Sequence, residues 1–154
     1  MMQVSREMEI RDGTAETTKH AVRVALFWGV VVGGIQAASP LAIWWLTPAT
    51  VYALELVLIA AVYIGFAVAD GRRQVLAVEC GVAAAFVVLA AASVTGPAWL
   101  LVLGYAGHGA KDLWQHRRRY VAQTRWWPPF CLVVDWIVAL VIAMEIVAGV
   151  HLHQ

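Results

Sequence analysis

Apolar blocks of membrane-spanning length take up most of this chain. Five stretches of about 20 residues each are predominantly hydrophobic, and a helix of about 20 such residues crosses the hydrocarbon core of a bilayer, which is about 30 Å thick. The blocks cover residues 21–38, 50–69, 74–94, 97–115 and 130–149. Because no water is present at that depth to bind the backbone, each block must be a helix. The pattern predicts an all-α, polytopic membrane protein with five transmembrane helices.

Composition excludes an ordinary soluble domain. Hydrophobic residues make up 62% of the 154 residues and charged residues only 14%, whereas about a quarter of the residues of a soluble domain are charged. We therefore expect a single transmembrane bundle over residues 21–150, a polar cytoplasmic tail over 1–20 and a short outside tail over 151–154. A cleaved signal peptide is the alternative for the first block, because Gln36 to Ser39 loosely suits a cleavage site, but the acidic residues before it disfavour cleavage.

Basic residues determine the predicted orientation. With five spans, all 11 lysines and arginines fall at one end of the bundle, although the net charge of +1 hides this asymmetry. The positive-inside rule makes that end cytoplasmic. We therefore expect a multi-pass protein of the cell membrane with its N-terminus in the cytoplasm and its C-terminus outside. The basic residues are Arg6, Arg11, Lys19, Arg23, Arg72, Arg73, Lys111, Arg117, Arg118, Arg119 and Arg125.

Polar residues repeat every four positions along the fourth block. His108, Asp112 and His116 therefore share one face of a helix. The two histidines lie about 12 Å apart along the helix axis, too far to share an ion whose bonds are about 2 Å long. His108 and Asp112 are close enough to share one. Ionisable groups are unfavourable in hydrocarbon, so their presence within a span indicates a functional site.

Depth in the bilayer brings further polar residues to the same level. The third and fourth spans meet at a turn near Gly96, so residues equally far from that turn lie equally deep. Glu79 is then level with Asp112, while His108 lies about 6 Å deeper and Asp135 lies about 9 Å into the fifth span. This layer predicts a polar pocket that opens to the cytoplasmic leaflet. Its candidate catalytic residues are Asp112, Glu79, Asp135 and His108.

Two kinds of chemistry suit this layer. His108 and Asp112 can hold a divalent metal together with Glu79 or Asp135, and one histidine with carboxylates suits manganese, iron or magnesium as well as zinc. The His-x-x-x-Asp pattern is a weak signal by itself, and the sequence requires no cofactor. A carboxyl group that stays protonated in an apolar bundle can instead serve as a general acid, with His108 as the base.

Side chains around the layer suggest a ligand with a charged headgroup. Tyr63 and Tyr105 can reach the layer, and the cationic side chains of Lys111, Arg72 and Arg73 lie around its predicted opening. Such cations bind phosphate or carboxylate headgroups. We therefore expect a membrane lipid or an isoprenoid-type amphiphile as the substrate of an enzyme.

Structural and transport roles stay open beside the enzyme hypothesis. Interhelical ion pairs such as Glu79 with Lys111 suit an accessory or assembly subunit of a larger membrane complex, or a homo-oligomer. Glu55 and Glu145 form a second acidic layer near the outside, where the five-span topology places no basic residue. Carboxyl groups in both leaflets suit a small proton- or cation-coupled transporter component. No motif supports nucleic-acid binding.

Small residues predict where helices approach each other closely. Gly29 and Gly33 have the G-x-x-x-G spacing that brings transmembrane helices into contact. Gly104, Gly107 and Gly109 form a second such group beside the polar ladder. We expect both groups to lie at helix–helix contacts.

Overall fold

Six helices separated by short turns make up the described chain. The computed structural model describes residues 2–122, 124 and 126–153, and none of these residues is in a β-strand. The predicted all-α class is confirmed. The helices are α1 (Met2–Ala37), α2 (Ser39–Ala42), α3 (Pro48–Asp70), α4 (Arg73–Thr95), α5 (Trp99–Arg118) and α6 (Trp127–Val147).

Residues with special backbone or capping properties set the helix ends. The Thr47 hydroxyl accepts a hydrogen bond from the backbone N–H of Thr50 at the start of α3, where Pro48 is the first residue. Gly71 ends α3 with a left-handed φ of 78°, a conformation that glycine adopts without a Cβ clash. The turn before α5 is longer than predicted, because α5 begins at Trp99 rather than at Pro97.

Four helices are long and apolar enough to cross a membrane. They are residues Lys19–Ala37 of α1 together with α3, α4 and α6. α5 is 20 residues long, which corresponds to about 30 Å, but it is less apolar since it carries His108, Lys111 and Asp112. Length and composition therefore confirm four of the five predicted spans.

The first helix is longer than the first apolar block. α1 begins at Met2, so the stretch predicted as a separate tail over residues 1–20 is, from Met2 onward, helix that runs without a break into the first span. The segment between α1 and α3 is too short to span, as expected. Leu41 and Trp44 in this segment are 83% and 80% exposed.

α5 joins the two halves of the helix packing, because it contacts α6 on one side and the α3–α4 pair on the other. α1 and α5 both pack along α6, α3 packs along α4, and α5 makes smaller contacts with α4 and α3. Tyr52, Leu101 and Ile142 are fully buried in the core, whereas Leu58 and Val88 are more than 65% exposed on the outer surface. A surface with so many exposed apolar side chains suits contact with lipid rather than water, so the fold indicates a membrane-embedded protein.

Glycines allow α1 to approach α6 closely. A Cβ atom added at Gly29 would lie 2.8 Å from the backbone oxygen of Phe130, and one added at Gly33 would lie 3.1 Å from Cα of Val134. The G-x-x-x-G spacing therefore lies at a helix contact, as predicted. Gly34, which is not part of that spacing, has no neighbouring atom within 4 Å of its added Cβ.

We expect Gly29→Ala to lower the stability of the bundle by about 1–3 kcal/mol, because the new methyl group forces α1 away from α6. Thermal unfolding of the purified protein in detergent measures the change. Gly34→Ala is the matched control: it should match or slightly exceed wild type, since alanine favours a helix by about 1 kcal/mol over glycine. Equal unfolding temperatures for the two variants would contradict the proposed α1–α6 contact.

Candidate functional site

His108, Asp112 and Asp135 meet where α5 packs on α6. Nδ1 of His108 lies 2.8 Å from Oδ2 of Asp135 and 3.5 Å from Oδ2 of Asp112. All three residues are fully buried. One potential ligand atom from each lies within 4.8 Å of the other two. We call these three residues the His108 cluster.

A small residue beside His108 permits this approach of α5 to α6. A Cβ atom added at Gly109 would lie 2.5 Å from the indole ring of Trp136 and 3.4 Å from Cβ of Asp135. The indole therefore occupies the space that a side chain at Gly109 would fill. Asp112 follows His108 by one helical turn and so faces the same way. Local helix periodicity supplies two members of the cluster, and the α5–α6 contact supplies the third.

Aromatic rings enclose the imidazole of His108. The ring centroid of Phe86 on α4 lies 5.0 Å from that of His108, and the ring centroid of Tyr63 on α3 lies 6.0 Å away. The Tyr63 hydroxyl and both carboxylate oxygens of Asp112 are buried without a hydrogen-bond partner among the described residues. Nε2 of His108 and Oδ1 of Asp135 make no hydrogen bond within the described part of the chain. A buried polar atom without a partner is unfavourable and suggests that a ligand or proton uses it.

Glu79 forms a second polar group with residues of α5. Its Oε2 lies 2.8 Å from Nζ of Lys111, and its Oε1 accepts a hydrogen bond of 2.6 Å from Nε2 of Gln115. The Lys111 ammonium also lies 3.4 Å from the centroid of the Tyr63 ring, a cation–π contact. Both oxygens of Glu79 are thus occupied, so Asp135 rather than Glu79 completes the set with His108 and Asp112.

Gln115 is a site residue that the sequence interpretation missed. It is 1% exposed and connects Glu79 to the loop after α5, because its Oε1 accepts a hydrogen bond from the N–H of Val121. Its position four residues after Lys111 puts it on the Glu79-facing side of α5. The four-residue spacing could have predicted this position, but an uncharged amide within a helix indicates a buried polar site less strongly than an ionisable group does.

The two tyrosines expected at the site face different polar layers. Tyr63 joins the His108 cluster to Lys111, whereas the Tyr105 hydroxyl donates a hydrogen bond of 2.9 Å to the backbone oxygen of Tyr52 and lies 3.5 Å from Oε2 of Glu55. The Tyr52 hydroxyl itself donates a hydrogen bond of 2.8 Å to the backbone oxygen of Ala37. Tyr105 therefore contacts the outer acidic layer at Glu55.

Arg72 ties the end of α3 to the loop after α5. Its Nη2 donates to Oδ2 of Asp70 at 2.8 Å and to the backbone oxygen of Tyr120 at 2.6 Å. These hydrogen bonds to Asp70 raise the pKa of the Arg72 guanidinium, so the group stays charged at physiological pH. The neighbouring Arg73 is exposed at the same end of the bundle. Arg72 thus has a structural partner, and Arg73 is the freer cation.

Comparisons with known proteins offer no precedent for this arrangement. No protein-family model, curated protein or solved structure matches the chain. The functional conclusion therefore depends on the chemistry of the side chains themselves.

We expect Glu79→Gln to destabilise the bundle by about 3 kcal/mol or more, because it leaves the Lys111 ammonium without its partner carboxylate in a largely buried place. Urea or thermal unfolding in detergent measures the loss. The double variant Glu79→Gln/Lys111→Met removes the unpaired charge and should recover most of the stability. If the single and double variants unfold alike, the ion pair does not link α4 to α5.

Proposed function

We propose that this chain is a membrane-embedded enzyme that acts on the headgroup of a lipid or isoprenoid-type amphiphile at the cytoplasmic leaflet. One observation carries the proposal: the buried imidazole of His108 is hydrogen-bonded through Nδ1 to Asp135, while its Nε2 has no partner among the residues that the structure describes. Ionisable groups inside a membrane bundle are functional by default, because burying them is unfavourable.

The geometry of His108 suits general acid–base catalysis. A carboxylate that binds one imidazole nitrogen fixes the ring and its tautomer, and it leaves the other nitrogen free to exchange a proton or hydrogen bond with a substrate. Asp135 holds that position here. Oδ2 of Asp112 lies 3.5 Å from the same nitrogen, and its carboxylate is a second group that can carry a proton.

Lys111 supports binding of an anionic headgroup. Its side chain is 12% exposed, whereas that of its partner Glu79 is 1% exposed, so part of the Lys111 chain reaches the surface although its Nζ atom is buried beside Glu79. A phosphate or carboxylate can compete with Glu79 for this cation. α5 packs less extensively on α4 than on α6, and an amphiphile that enters from the inner leaflet would pass between α4 and α5 to reach Lys111.

The proposed topology has five spans, with α5 as the fourth and the N-terminus in the cytoplasm. α5 is as long as a bilayer core is thick and packs against both α4 and α6, which are apolar enough to span. With α5 inside the membrane, the five-span topology would put every lysine and arginine of the sequence on the same side, which agrees with the positive-inside rule.

Proton- or cation-coupled transport is a second candidate function. The observation that favours it is the position of Tyr105, whose hydroxyl contacts the outer layer at Glu55 while its helix position is one turn from His108. A hydroxyl between two acidic layers can relay protons. A role as an accessory subunit would instead require only the stabilising contacts, such as the Glu79–Lys111 pair.

We expect His108→Gln and Asp135→Asn to abolish turnover of the lipid substrate, with a loss of at least about 100-fold, since general acid–base groups contribute about that much. Mass spectrometry of lipid extracts from cells that lack the protein, complemented with each variant, measures the accumulated substrate. His116→Gln is the control, because His116 lies on the same helix but is exposed. A wild-type lipid profile with His108→Gln protein at normal abundance would rule out the enzyme.

An odd number of spans places the two ends of the bundle on opposite sides of the membrane. We expect a membrane-impermeant maleimide to label His151→Cys on intact cells but not His20→Cys, since both positions are exposed but lie at different ends. Both variants should carry Cys80→Ala and Cys131→Ala to remove the native thiols. Permeabilised cells, in which both sites should react, provide the control. Labelling of both cysteines on intact cells would exclude the five-span topology.

A further inference from the structure

We propose that the His108 cluster binds one divalent transition-metal ion, of the class Mn²⁺, Fe²⁺ or Zn²⁺. The ligands are Nδ1 of His108 and one oxygen each of Asp112 and Asp135. A role of the ion as a cofactor rests on the proposed function. Binding of the ion rests only on the geometry of these three side chains.

The spacing of the ligand atoms fits a bound ion. Two ligands that each lie about 2.0–2.2 Å from one metal are themselves about 3 Å apart. Nδ1 of His108 lies 2.8 Å and 3.5 Å from the nearest oxygens of Asp135 and Asp112, which bracket that separation. The three side chains come from two helices that are in close contact, so their positions are fixed by packing rather than by a loop.

Charge balance also favours a divalent ion. Within the described residues, Lys111 is the basic side chain that approaches an acid of the site, and it pairs with Glu79 rather than with Asp112 or Asp135. In the protonation state that would bind a metal, with two ionised carboxylates and a neutral imidazole, the cluster carries a charge of about −2, which is strongly unfavourable in a buried place without a bound cation. One divalent cation would neutralise that charge, and one ligand atom from each of the three residues lies within 4.8 Å of the other two.

The ligand types select the class of metal. One imidazole with two carboxylates suits manganese, iron and zinc, whereas magnesium prefers oxygen ligands and retains its waters. Cys131 is buried nearby but is not among the groups whose ligand atoms converge, so the site lacks the thiolate that soft metals prefer. Three protein ligands leave coordination positions for water or a substrate oxygen.

A metal ion bound at Nδ1 would also determine that the other imidazole nitrogen carries the ring proton. With the Nδ1 lone pair bound to the ion, the ring proton would lie on Nε2, which has no hydrogen-bond partner in the described part of the chain. That N–H can donate a hydrogen bond to a headgroup oxygen. Proton transfer in the reaction would then fall to Asp112 or to water rather than to His108.

Elemental analysis of the purified full-length protein tests the site. The protein should carry an affinity tag without histidines, be stripped with a chelator, incubated with MnCl₂ or ZnSO₄, and desalted before analysis. We expect close to one ion per chain in the wild type, and at least about a 10-fold loss of metal affinity in Asp112→Asn and Asp135→Asn. Failure of the wild type to retain either metal would overturn the proposal.

Two controls test whether the metal binds at the His108 cluster and whether the variants are folded. The variant His151→Ala/His153→Ala removes the terminal histidines and should bind metal as the wild type does; loss of metal in that variant would place the ion there and overturn the proposal. To separate lost binding from misfolding, added Mn²⁺ or Zn²⁺ should raise the unfolding temperature of the wild type in detergent but not that of Asp112→Asn. An equal shift in both proteins would also count against the site.

Metal content and lipid turnover separate the two proposals. A protein that binds one ion while the His108→Gln strain keeps a normal lipid profile would support the site and exclude the proposed enzyme. An altered lipid profile in that strain with no metal in the wild-type protein would support acid–base catalysis and exclude the metal. The two failures are therefore distinguishable.

Discussion

The close contact between α5 and α6 is the interaction on which the candidate site depends. Gly109 leaves room for the Trp136 indole, and this lets Asp135 reach His108 across the helix boundary. The same α6 also receives α1 at Gly29 and Gly33. Because lipid is as apolar as leucine, transmembrane helices associate through such close packing and through interhelical hydrogen bonds rather than through the hydrophobic effect. The site and the bundle are therefore held by the same contacts.

Much of the fold was predictable because the bilayer imposes strict rules on a sequence. The ends of α3 and α4 differ from the predicted blocks by no more than two residues, since length, apolar composition and the turn at Gly71 leave little freedom. α1 was the exception. Its polar N-terminal half has no apolar pattern of its own, so hydropathy gives no reason to continue the helix back to Met2.

Sequence patterns predicted which residues form the candidate site better than they predicted which of those residues contact each other. Helical periodicity and depth identified His108, Asp112, Glu79 and Asp135 as one layer, because depth follows from counting residues. Depth does not specify rotation, however, and rotation decides that Glu79 faces Lys111 while Asp135 faces His108. The same missing information explains Tyr105, whose place on the ladder face was correct but whose hydroxyl bonds the outer layer.

Lys111 contacts residues of two other helices and also lies beside the candidate site. Its ammonium touches Glu79 of α4 and the ring of Tyr63 of α3 from its own place on α5. A ligand that displaced this ammonium would also break the contacts by which Lys111 links α5 to α4 and α3. Under the proposed function, sequence changes that strengthen these contacts of Lys111 should therefore slow the binding of a headgroup even where they leave the proposed catalytic residues unchanged.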